Sequence, residues 1–129
     1  MTEAVARFFA HPCTLLLIGG GVGTNARYWL GAWFVSREWT VHFPWHTFLI
    51  NVLGSFVLGV VGVACRARPD WFLLLGTGFC GGFTTFSTFS VETLGLLEKG
   101  RPATAAGYAV GSVLAGLAGA YAGIRLLRP

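Results

Sequence analysis

Gly78-Phe-Cys-Gly-Gly-Phe-Thr-Thr-Phe-Ser-Thr-Phe-Ser90 is the stretch on which the fold turns. It continues an apolar run that begins at Trp71, but two adjacent glycines interrupt it and five hydroxyls follow between Thr84 and Ser90. Non-helical backbone survives at membrane depth only where it is buried in protein or lines a wet cavity. A helix broken at Gly81-Gly82 frees carbonyls between Gly81 and Thr84, hard oxygen ligands suited to a small cation. No carboxylate lies close to this break in sequence, so such a cation would be held by backbone alone. Beyond it, Phe83, Phe86 and Phe89 recur every third residue, with Thr84, Ser87 and Ser90 in one hydroxyl row and Thr85 and Thr88 in another. Hydroxyl donors beside ring edges, the positive part of the aromatic quadrupole, make a lining for an anion. Taken singly, each hydroxyl is better explained by a bond to its own i−4 carbonyl; it is the five together, beside the rings, that point to an anion.

Composition supplies the setting. Of 129 residues, 54% are hydrophobic and 11% charged, against about a quarter charged in an ordinary soluble domain. At about 20 residues per crossing helix, four crossings consume most of the chain, leaving no room for a soluble catalytic domain. The expected architecture is an all-α membrane protein in one domain, residues 1–129, with spans at 13–35, 46–65, 71–97 and 103–124 and the third helix broken mid-membrane. The breaks between them are polar or charged: Ser36 to Trp45 with Pro44, Arg66 to Asp70 with Pro69, and Glu98 to Pro102. Short connections favour an up-down-up-down bundle. The start of the first span, preceded by Arg7, resembles a signal peptide, but the apolar run continues to Val35 and reads as a retained helix.

The nine cations, scattered singly or in near pairs, make no basic stripe, so a nucleic-acid partner is excluded despite a net charge of +4. Cys13, Cys65 and Cys80 form no metal or disulfide spacing. Gly19 to Gly23 lacks the lysine of a phosphate loop. Lys and Arg, which usually set orientation, divide five (Arg7, Arg66, Arg68, Arg125, Arg128) against four (Arg27, Arg37, Lys99, Arg101) between the two sides. So little bias permits insertion both ways up and an antiparallel homodimer. Gly107, Gly111, Ala115, Gly119 and Gly123, spaced by four, mark close helix packing, as do Gly19 and Gly23.

Three further polar residues lie in apolar surroundings. Asn51, mid-span, either bonds another helix or donates N–H toward an ion path. Arg27 either concentrates anions at a pore mouth or snorkels to the interface. Glu92, one turn beyond Phe89, pairs with a cation or caps a wet vestibule. Tyr108 and Ser112 add polar groups to the fourth span, with core packing as their simplest explanation.

Three ordered segments, Gly20-Gly-Val-Gly-Thr-Asn-Ala-Arg-Tyr-Trp-Leu30, Phe43-Pro-Trp-His-Thr-Phe-Leu-Ile-Asn-Val-Leu-Gly-Ser-Phe56 and Gly78 to Ser90, resemble the Fluc (CrcB) fluoride channels over nearly the whole chain. That resemblance implies an antiparallel dual-topology homodimer in the cell (inner or plasma) membrane, with two fluoride pores and a structural sodium ion at the dimer interface. It implies sodium held by the carbonyls of Gly81 and Thr84, pores lined by Phe86 and Phe89 with Asn51 beside them, and a hydroxyl track of Ser87, Thr88, Tyr108 and Ser112. Arg27 would stand at the vestibule and Glu92 at the motif's acidic position. His46 departs from the pattern, where a glycine is expected before Thr47. Rival readings lack their chemistry: a proton-coupled multidrug exporter needs a carboxylate in the first span, and a quinone-linked thiol oxidoreductase needs paired cysteines. A purely structural subunit does not require the hydroxyl-rich third span.

Overall fold

The computed structural model describes residues 11–128; Arg7, counted above for orientation, lies outside them. Helix α1 is Pro12–Ser36, with proline at its first position and the His11 imidazole accepting from the Cys13 amide at 3.3 Å. Its end is followed by a turn in which Glu38 takes a positive φ of 58°. Helix α2 is Trp45–Ala64, entered through Pro44. Residues 69–83 form α3, which is composite: Pro69–Trp71 is α-helical, Phe72–Cys80 winds as a π-helix, and Gly81–Phe83 returns to α-helix. Helix α4 is Phe86–Glu98 and α5 is Pro102–Leu127. Gly100, at φ 68°, ends α4: its amide bonds the Leu97 carbonyl at 2.9 Å while Arg101 bonds Leu96 at 2.9 Å, a left-handed cap that suits glycine.

The third span is therefore interrupted, but not at the glycines. Gly81 and Gly82 are helical, and the chain straightens at Thr84 (φ −82°, ψ 161°) and Thr85 (φ −152°, ψ 119°). This corrects the expected break, and packing explains it. A Cβ on Gly82 would strike the Gly20 carbonyl, so glycine there serves a close approach to α1 rather than a kink. The same contact continues along α1, where Gly19 lies on the Leu74 carbonyl and Gly23 on that of Phe79. A second tight pair joins α2 to α5: Gly59 faces the Ala120 carbonyl, and Gly123 faces that of Phe56. The fold thus comprises two close-packed helix pairs, α1 with α3 and α2 with α5, and α4 leans on α5 through a core of Leu96, Ala105 and Tyr108 flanked by Phe43, Phe48 and Phe89.

Among the described residues, three segments are long and apolar enough to cross a membrane: Trp45–Ala64, Pro69–Glu98 and Pro102–Leu127. Four were expected. Helix α1 has the length, 25 residues or roughly 37 Å, but Thr24, Asn25, Arg27 and its glycines dilute its apolar character. Aromatic rings gather where α1 ends, with Trp33 and Trp39 edge to face at 5.1 Å and Phe34 against Trp39 at 5.3 Å. Such belts mark the headgroup layer.

Candidate functional site

The interruption is held open by one side chain. Asn51, in the middle of α2, donates from Nδ2 to the Thr85 carbonyl at 3.1 Å and accepts the Thr85 amide on Oδ1 at 2.8 Å. A primary amide is the neutral side chain that matches a backbone donor and acceptor together. Thr85 is the N-cap of α4, its Oγ1 accepting the Thr88 amide at 3.2 Å. Its hydroxyl also donates to Thr88 Oγ1 at 3.0 Å and shares a hydrogen bond with Ser87 Oγ at 3.2 Å.

These bonds decide which carbonyls are left over. In an unbroken helix the Thr85 amide would bond Gly81 and the Thr88 amide would bond Thr84. Both amides are diverted, to Asn51 and to the Thr85 hydroxyl, so the Gly81 and Thr84 carbonyls lose their helical donors. The Arg27 guanidinium reaches the Thr84 carbonyl at a long 3.5 Å, and the Thr24 hydroxyl reaches that of Gly82 at 3.4 Å. The two released carbonyls are oxygen donors of the kind a sodium ion takes. Among the described residues, no group of three or more His, Cys, Asp or Glu side chains is placed to hold a metal.

Beside the break lies a cavity of about 280 Å³ between α2, α4 and α5. Asn51, Thr84, Thr85, Phe86, Phe89 and Ser112 line it, with Gly54, Ser55, Leu58 and Val113. No charged side chain does. The Ser112 hydroxyl is buried and has no protein partner, a free donor in a place where an unmet polar group is costly. Phe86 and Phe89 lie 5.6 Å apart, and Phe86 is 79% exposed on the isolated chain.

Not every expected residue gathers here. Ser87 and Thr88 sit on the exposed first turn of α4, outside the cavity lining. Tyr108 is fully buried one layer away, its hydroxyl donating to Glu92 Oε2 at 2.7 Å. Thr47 Oγ1 donates to Glu92 Oε1 at 2.9 Å, and His46 Nε2 lies 3.1 Å from the same oxygen. Arg27 approaches the break, as described, rather than any of these groups. Sequence reasoning passed over Ser55, Thr47 and the contact of His46. Ser55 was detectable, since it stands one turn from Asn51 on the same face of α2.

A second cavity, of about 370 Å³, opens beyond the Glu92 layer, lined by His42, His46, Glu92, Lys99 and Arg101 together with the loop from Thr40 to Pro44. The two cavities share no lining residue. Stepping from the first to the second passes Asn51, Thr47 and His46 along α2, Phe89 and Glu92 along α4, and Ser112 and Tyr108 along α5. Phe89 and Tyr108, 5.1 Å apart, close the layer between them.

Compared with known proteins, residues 14–124 match the family described as CrcB-like protein, Camphor Resistance (CrcB). The chain belongs to the CrcB family. Its relatives include a protein of Gloeobacter violaceus named fluoride-specific ion channel FluC, 49% identical over 84% of this chain and 90% of the relative. A protein of the same name from Oceanobacillus iheyensis is 47% identical over 87% of this chain and 88% of its own length. One from Bordetella petrii is 45% identical over 78% and 79%. The CrcB relatives are named as channels, not enzymes.

Proposed function

We propose that this chain is a fluoride-selective channel that lets cytoplasmic fluoride leave the cell down its gradient, relieving fluoride toxicity. The observation that carries the proposal is the cavity beside the Thr84–Thr85 break, bounded by an amide, hydroxyls and phenyl rings with no charged side chain. Fluoride is small and strongly hydrated, so a selective path replaces water with several close donors. Neutral donors do this without the deep trap that a buried arginine would set, and conduction requires binding weak enough to release. Asn51 keeps a second amide hydrogen beyond the one it gives to Thr85, and Ser112 keeps its hydroxyl. The names of the relatives agree with this reading.

The functional unit is an antiparallel dual-topology homodimer with two pores in the cell (inner or plasma) membrane, four crossings per subunit. Helix α1 is the fourth crossing, its polar residues shielded from lipid by the other subunit. Support comes from the exposed face of the single chain, where Phe86, Ser87, Thr88 and Ser90 stand open together with Gly81, Thr24 and Asn25. Hydroxyls at membrane depth are costly against lipid and call for a protein cover. The released Gly81 and Thr84 carbonyls of both subunits would hold the structural sodium ion, whose charge favours anions nearby. Phe86 and Phe89 line the pores, Ser87, Thr88, Tyr108 and Ser112 extend the donor track, and Arg27 attracts anions from the vestibule.

The test is efflux from proteoliposomes. Fluoride leaves rapidly and chloride does not, and Phe86→Ile or Asn51→Asp abolishes flux while the protein stays folded. Asn51→Asp loses the bond donated to Thr85 and adds a negative charge to an anion path. Equal chloride efflux, or dependence on a proton gradient, would overturn the proposal.

A further inference from the structure

Glu92 is the carboxylate between the two cavities, and it receives three side chains: Thr47, Tyr108 and His46. Thr47 and Tyr108 donate hydrogen bonds as neutral groups. His46 is the partner that can carry a positive charge, imidazole being the side chain whose ordinary charge change falls near neutral pH. Its Nε2 is engaged with Glu92 Oε1 at 3.1 Å, the contact that favours a positive imidazole, while its Nδ1 is buried with no protein partner. The other ionisable groups around the ring are His42 on the loop before α2, Lys99 at the end of α4 and Arg101 beyond it, all lining the outer cavity. Helix α5 presents Tyr108 through Glu92, and α1 presents Gly31, whose Cβ position lies 3.6 Å from the imidazole.

We propose that His46 is a positioning residue that sets the charge met by an anion at the Glu92 layer, making passage through this chain faster at acidic pH. With His46 protonated, the Glu92 carboxylate is neutralised in an ion pair and kept against Thr47 and Tyr108. With His46 neutral, Glu92 loses this ion pair, and its negative charge, held by the Thr47 and Tyr108 hydroxyls, weighs against the anion. The inference rests on the channel reading and adds to it a residue, His46, that this reading does not use.

The test measures initial fluoride efflux from liposomes carrying the full chain, at equal internal and external pH, with leakage from protein-free liposomes subtracted. Wild type should run about fivefold faster at pH 6 than at pH 8. His46→Gln should conduct with a flat profile, whereas His42→Gln should keep the slope. His46→Gly serves as a second variant if the glutamine variant does not fold. In wild type, the His46 imidazole resonance should titrate over the same range as the flux. A flat wild-type profile, a slope that persists in either His46 variant, or an imidazole that stays in one state across the range would overturn the inference while the channel reading stands. Absence of fluoride efflux at every pH would instead overturn the channel reading, and this inference with it.

Discussion

At the residue scale, Asn51 and Ser112 line the same cavity but differ in what the protein itself asks of them. Asn51 makes two hydrogen bonds to the backbone of Thr85, so its removal strips the break of its brace. Asn51→Ala should lower stability by about 1–3 kcal/mol and abolish fluoride flux, measured by thermal unfolding in detergent and by efflux. Ser112 bonds nothing in the protein, and an unmet buried hydroxyl is a cost. Ser112→Ala should therefore leave stability unchanged or raised, yet slow fluoride efflux roughly tenfold, the equivalent of one hydrogen bond of about 1.4 kcal/mol to the passing ion. A loss of stability equal to that of Asn51→Ala would mean that the hydroxyl braces the fold instead of serving the ion.

At the element scale, the row of small residues on α5 divides into two parts. A Cβ on Gly123 would meet the Phe56 carbonyl, whereas one on Gly107 would meet nothing within 4 Å. Gly123→Ala should destabilise by about 1–3 kcal/mol through overpacking against backbone that cannot yield, seen as a lower unfolding temperature. Gly107→Ala should leave the isolated subunit untouched. The pair shows what periodicity conveys. Spacing by four identified a close-packing face, but it did not say which part would be used within the subunit and which left on its surface. The prolines at 12, 44, 69 and 102 were readable as helix boundaries because a missing amide and a fixed φ have local consequences. The position of the break was harder to read. Glycine permits both a kink and a close contact, and only the neighbouring Gly20 carbonyl reveals that Gly82 serves the contact. The true interruption fell on two threonines because the Thr85 amide found a better partner across the structure, Asn51, than along the helix, whereas the Thr84 amide keeps its helical bond to the Cys80 carbonyl. Likewise His46 was visible as an odd residue in a motif, but its partner is 46 positions away on α4.

At the scale of the whole molecule, the described chain is unfinished as a membrane object. It exposes Phe86 at 79%, with Ser87, Thr88 and Ser90 beside it, within the segment Pro69–Glu98 that is long and apolar enough to cross a membrane, where lipid offers no hydrogen bonds. In the proposed dimer a second copy would cover this face, and the nearly even division of cations would let that copy enter the membrane upside down. Both conditions are needed: the face without the charge balance would favour a parallel partner, and the balance without the face would leave two independent orientations. The prediction is that two lysines added to the loop between Ser36 and Trp45, or two added after Leu127, will each force one orientation. Either biased variant expressed alone in cells stripped of their own fluoride channels should leave them fluoride-sensitive, because no antiparallel partner forms. Expressing the two together should restore resistance. If each variant alone protects the cells fully, the pores assemble without an inverted partner. The covering surface would then have to come from a parallel copy.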